Sequence, residues 1–154
     1  MKRGIRFEAP NEYGNILAEI LKPFALEDFC WKIGDCESYI AGDKGLERNL
    51  FPEGQTIMEG IELKNLLENN AYYVIFAELQ AYPDSSFSVV ENYGEFIDSD
   101  CELVLLVVDC IYVDLYCKDE SMIELLYEHA LKRRFKRVAY IAGKNDTRTR
   151  LSVW

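Results

Sequence analysis

The stretch LVLLVV, Leu103 to Val108, places six apolar residues in a row with no polar position between them. A run this short cannot cross a bilayer, which needs about 20 apolar residues. In a strand, successive side chains point to opposite faces, so an unbroken apolar run predicts a central strand covered on both sides. Any fold for this chain must therefore put material above and below one strand of a sheet. The following IYVDLYC restores alternation, with Ile111, Val113, Leu115 and Cys117 on the inward face and Tyr112, Asp114 and Tyr116 on the other.

The remaining elements are read outward from that strand. GIRFE, Gly4 to Glu8, alternates as a first strand, and YYVIFAELQAY, Tyr72 to Tyr82, is a long β-rich strand closed by Pro83. FCWKIGDCESYIA reads as two short strands joined by a Gly34-Asp35 hairpin turn, because glycine accepts a positive φ without steric cost. Helical spacing is visible in NEYGNILAEILK, with Asn11 as a potential cap, in GIELKNLLENN, in the short ENYGEFIDS and in DESMIELLYEHALKRRF. In the last of these, Ser121 and Glu124 have capping-box spacing. RVAYIAG and the closing TRTRLSV read as a terminal hairpin around Lys144-Asn145-Asp146. The segment 42–56, rich in turn formers, reads as the longest loop.

Strands joined by short hairpins cannot form an all-parallel sheet, so the expected class is α+β, with a mixed or largely antiparallel sheet and about four helices. A length of 154 residues and a hydrophobic fraction of 49% suit one globular domain spanning 1–154 with a sizeable core. A weak internal echo, NEYG at Asn11 to Gly14 against ENYG at Glu91 to Gly94, raises an internal pseudo-duplication with halves 1–82 and 91–154.

MKRGIRFEAPNEYGN at one end, SDCELVLLVVDCIYVDLYCKD in the middle and DTRTRLSVW at the other together resemble a bacterial domain-of-unknown-function family from spore-forming Gram-positive organisms. The resemblance runs over the full chain. It implies a single cytoplasmic domain and carries over no functional residue.

Charge narrows the partners. The net charge of −10 argues against nucleic acid, whose phosphates supply most non-specific affinity. From Ala130 to Trp154 eight Lys or Arg stand against one Asp, a net of +7, so the first 129 residues carry −17. No export signal or membrane span is visible, and the expected address is the cytoplasm. There five cysteines, an odd number without C-x-x-C spacing, are expected to be buried reduced thiols.

No catalytic motif emerges. His129 has no Ser or Cys at a fixed spacing and reads as boundary packing. Asp98, Asp100 and Glu102 lack the glycine and twelfth-position Glu of an EF-hand, and neither GDKG nor PEG matches a phosphate-binding glycine loop. No cofactor or metal is expected, and the reading leans away from an enzyme. KRRFKR, Lys132 to Arg137, suits the negative end of a helix dipole. Its functional alternative is that Arg133, Arg134 or Arg137 joins Arg148 and Arg150 to hold an anion or a partner's carboxylates. Tyr112, Asp114 and Tyr116 form either a helix-covered face or a recognition face. The leading expectation is a non-catalytic protein-interaction or self-associating domain with an acidic body and a basic C-terminal hairpin. The alternative is an anionic-ligand binder or weak enzyme with a pocket under the 42–56 loop, closed by that hairpin.

Overall fold

A computed structural model describes residues 1–43 and 45–154. Among the described residues nine strands form one antiparallel sheet: β1 (Lys2–Glu8), β2 (Cys30–Ile33), β3 (Glu37–Gly42), β4 (Gly45–Asn49), β5 (Ile57–Glu59), β6 (Tyr72–Tyr82), β7 (Leu103–Val108), β8 (Tyr112–Cys117) and β9 (Lys136–Ala142). Their order is β4-β3-β6-β7-β8-β1-β9, with β2 between β5 and β6. Four α-helices accompany them among the same residues: α1 (Ile16–Ile20), α2 (Gly60–Glu68), α3 (Tyr93–Asp98) and α4 (Glu120–Lys132). The class is α+β with an antiparallel sheet, as expected.

β7 lies between β6 and β8 and is covered on both faces. Leu103, Leu105 and Val107 enter a core with Leu17 and Ile20 of α1, Leu63 and Leu67 of α2, and Ile123 and Leu126 of α4. Val104 and Leu106 point the other way, into a smaller core with Tyr82, Phe96 of α3, Tyr116, Ile141, Leu151 and Val153. The period of two along the strand therefore divides one apolar run between two cores.

Several local expectations change. Gly34-Asp35 makes no hairpin. β2 and β3 both run antiparallel to β6, from Cys30 opposite Tyr82 to Ile40 opposite Tyr72, as one strand interrupted at 34–36. The Gly34 N–H donates to the Glu78 carbonyl at 2.8 Å, so the chain stays beside β6 across the break. On β6 itself the register shifts between Glu37 and Ser38, leaving Ile75 between the partners Val74 and Phe76. Such a bulge switches faces, and the main core accordingly receives Tyr72 and Val74, then Ala77 and Leu79.

The segment 42–56 contains β4, paired with β3, rather than only loop, and Lys44 within it lies outside the described residues. α4 is capped by Asp119, whose carboxylate accepts the N–H groups of Ser121 and Met122, and not by Ser121. Asn15, not Asn11, occupies the cap position of α1. The terminal hairpin does not form either. β9 pairs with β1, and residues 143–154 cross the second face of the sheet as ordered non-strand backbone. Alternating Leu151 and Val153 serve this lid as well as they would a strand, because both side chains reach the same apolar face.

Candidate functional site

β1 alternates Ile5 and Phe7, which are buried in the main core, with Arg6 and Glu8 on the opposite face. Antiparallel register sets Arg6 opposite Asp114 of β8, an opposite-charge pair across neighbouring strands. Arg6 donates from Nε to Asp114 Oδ1 at 2.7 Å and from Nη2 to Oδ2 at 3.2 Å. Arg148 donates from Nε to the same Oδ2 at 2.7 Å and from Nη1 to the Ser152 carbonyl at 2.7 Å. One buried carboxylate thus fastens the C-terminal segment to the sheet. The Asp114 bond raises the Arg6 pKa against the opposing effect of burial, so that guanidinium is held charged.

A second carboxylate extends the network. Asp146, whose side chain is 1% exposed, accepts the Tyr116 hydroxyl at 3.0 Å, Arg3 Nη1 at 3.0 Å and the Arg148 backbone N–H at 3.1 Å. Arg3 also stacks its guanidinium 4.0 Å from the Tyr93 ring centre. Burial pushes the Tyr116 hydroxyl pKa up, with the Asp146 charge adding to it, so the phenol remains a donor.

Beside this network lies a cleft of about 450 Å³ lined by Arg6, Phe7, Glu8, Tyr112, Asp114, Arg137, Thr147 and Arg148. Arg137 reaches it from a bulge between β1 and β9, where it adopts a left-handed φ of 54°. Its side chain is 83% exposed and pairs with Glu8 at 3.3 Å. Non-glycine residues in that region carry local strain, so the bulge holds a guanidinium at the rim at some cost to the backbone.

Of the residues singled out in the sequence, Tyr112, Asp114, Arg137 and Arg148 line this cleft. Tyr116 is buried behind it. Arg133 pairs with Glu19 at 3.2 Å in the contact between α4 and α1. Arg134 follows the end of α4 with φ 60° and donates its N–H to Leu131, while Phe135 donates to Ala130, a Schellman-type ending. Arg150 is exposed, and its carbonyl accepts Arg148 Nη1 at 3.4 Å. Arg6, Glu8 and Thr147 escaped the sequence reading. Arg6 was visible as a polar position in an alternating strand, but nothing local announces a pairing with a residue 108 positions away.

Under the 49–56 segment there is a cavity of about 390 Å³, whose charged lining residues, among those described, are Glu37 and Glu53. Those charges oppose an anionic ligand there, and the basic C-terminal segment does not line it. All five cysteines are free thiols. Burial pushes Cys36 and Cys101 up to about 12 and Cys117 up to about 11, which keeps them protonated and unreactive. The His129 ring Nε2 lies 2.6 Å from the Glu19 carbonyl, a contact between α4 and α1. Among the described residues no group of three or more His, Cys, Asp or Glu is placed to hold a metal, and no helix is long and apolar enough to cross a membrane.

The family described as "Protein of unknown function (DUF2691)" matches residues 2–152. "Uncharacterized protein YncE" of Bacillus subtilis (strain 168) is 44% identical over 154 residues, covering 99% of this chain and 100% of that relative. No solved structure matches the chain. A match over nearly the whole length, with no large segment of either protein left over, means that this chain belongs to the DUF2691 family.

Proposed function

We propose that the chain is a non-catalytic recognition domain that binds an anionic group in the cleft between β1, β8 and the C-terminal segment. The observation that carries this reading is the convergence of three guanidinium groups, Arg6, Arg137 and Arg148, on one cleft of about 450 Å³. Glu8 and Asp114 neutralise two of the three charges, leaving the lining net positive within an acidic protein. Each guanidinium has five N–H donors, and the internal bonds use only part of that set. The remainder, with the Tyr112 hydroxyl and Thr147, suit a phosphate or carboxylate, for which arginine forks are well matched. The volume falls within the usual range of small-ligand sites.

The anion is either a free small molecule or an acidic side chain of a protein partner. The five free thiols fit a reducing compartment, and we place this activity in the cytoplasm. Calorimetry with inorganic phosphate, succinate and a short Glu-rich peptide, at low salt, tests the reading. Binding to the native chain that is lost in Arg137→Asn is expected, since asparagine tolerates the left-handed backbone and leaves the fold intact. No binding by any of the three probes, or binding unchanged in the variant, overturns it.

A further inference from the structure

The far end of the C-terminal segment builds a different surface. Val153 is buried, and its N–H donates to Glu78 Oε1 at 2.8 Å, which fixes the chain over β6. The next residue, Trp154, is 70% exposed, although it is the largest side chain on that segment. Its indole lies 4.8 Å from the Phe76 ring, centre to centre, with the planes inclined by 41°. The two rings form an aromatic corner instead of entering the core. Asp35, Cys36 and Glu37, from the break between β2 and β3, close the other side of a hollow of about 280 Å³.

Charge and polarisability select the occupant. Among the described residues Asp35 and Glu37 have no ion-pair partner, and Glu37 uses one oxygen to accept the Tyr39 hydroxyl at 3.1 Å. An anion would meet two carboxylates there. A neutral apolar group would leave both facing it without compensation. A cation satisfies both halves: the carboxylates attract it at range, and the indole face stabilises it through its quadrupole, most strongly for tryptophan among the aromatics. The net charge of −10 favours cations over anions near the protein surface.

We propose that Trp154, Phe76, Asp35 and Glu37 form a binding site for an alkylammonium group, separate from the arginine cleft. The group is either a free small organic cation or a lysine side chain, methylated or not, of a partner protein. Two probes distinguish these sources: choline as the free ion, and a short peptide with one trimethyllysine. Each is titrated by calorimetry into the native chain, into Trp154→Leu and into the Asp35→Asn, Glu37→Gln double variant, with sodium chloride held constant.

Saturable binding of choline, or of the peptide only, is expected in the native chain, the first indicating a free cation and the second a protein partner. Either should weaken about fivefold in Trp154→Leu, the size of one exposed cation–π contact, and partly recover in Trp154→Phe. The exposed position of Trp154 makes loss of the fold an unsuitable explanation, and thermal unfolding of each variant verifies this. Failure of both probes to bind the native chain overturns the proposal, as does equal affinity in the native chain and Trp154→Leu. The arginine cleft reading is untouched by either result, because its residues and probes are different.

Discussion

Arg148 Nε lies 2.7 Å from Asp114 Oδ2, joining the C-terminal segment to the middle of β8. Asp114 also holds Arg6, so removing its charge leaves two guanidinium groups without their principal partner. Asp114→Asn is expected to lower stability by about 1–3 kcal/mol, less than a fully buried pair would cost because both arginines keep partial solvent contact. Urea unfolding checks the magnitude. Hydrogen exchange should show the Leu151 and Val153 amides losing protection before those of β7, because the segment detaches before the sheet unfolds.

The lid's apolar contribution is separable from its ion pair. Leu151 is 3% exposed in the smaller core. Leu151→Ala should cost about 2–3 kcal/mol, from the lower part of the range for buried leucine, since a segment without strand pairing can shift to fill some of the void. Thermal unfolding of this variant alone and combined with Arg148→Ala tests the coupling. A combined loss smaller than the sum of the two is expected, because either change already releases the segment.

Glu78 gives the fold a pH dependence of opposite sign to most carboxylates. Burial raises its pKa above the ordinary value, against the lowering effect of the Val153 and Asp35 N–H groups and of Arg148. A carboxyl with a raised folded pKa holds its proton more tightly in the native chain than in the unfolded one. Its contribution is therefore fully present below the unfolded value and is lost as pH rises through the raised value. The stability of the native chain relative to Glu78→Gln should accordingly fall as pH rises through and above the ordinary carboxylate range. Urea midpoints of both chains across that range give the answer, and parallel curves would contradict the assignment.

Much of the architecture was legible because it rests on periodicity. Leu103 to Val108 could only be a strand covered twice, and the alternation of Val113 and Leu115 against Asp114 and Tyr116 identified the two faces of β8. The misread positions are those where one pattern serves two geometries. Gly34-Asp35 suits a hairpin, and it equally suits a break in a strand where Glu78 needs room. TRTRLSV alternates like a strand, and it equally suits a strap whose Leu151 and Val153 sit on a sheet. Half of the predicted site residues lie in the arginine cleft. Arg6 was missed because its role depends on the pairing of β1 with β8, which no local pattern encodes.

Two glycines should differ in what they tolerate. A Cβ on Gly60 would lie 2.2 Å from the Leu26 carbonyl oxygen and 2.5 Å from that of Phe29, both backbone atoms of the turn packed on α2. A Cβ on Gly34 would lie 2.2 Å from Glu78 Oε2, the end of a side chain that can rotate away. Gly60→Ala is therefore expected to cost about 3 kcal/mol and Gly34→Ala about 1 kcal/mol. Only the second should loosen the Val153 amide in hydrogen exchange, since moving Glu78 removes its acceptor.

Arg134 separates the two readings of the basic run at the end of α4. It occupies the left-handed position that glycine usually takes at a helix end, where an L-residue costs about 1–2 kcal/mol. Its charge recovers part of this through the helix dipole, about 0.3–1 kcal/mol. Arg134→Gly should therefore stabilise the chain by about 0.5 kcal/mol, whereas Arg134→Lys, which keeps both the charge and the backbone strain, should leave stability nearly unchanged. Thermal unfolding measures both. Arg134 does not line the arginine cleft, so phosphate affinity should stay constant in both variants while Arg137→Asn abolishes it. A fall in phosphate affinity on Arg134→Gly would instead extend the anion site from the cleft to the end of α4.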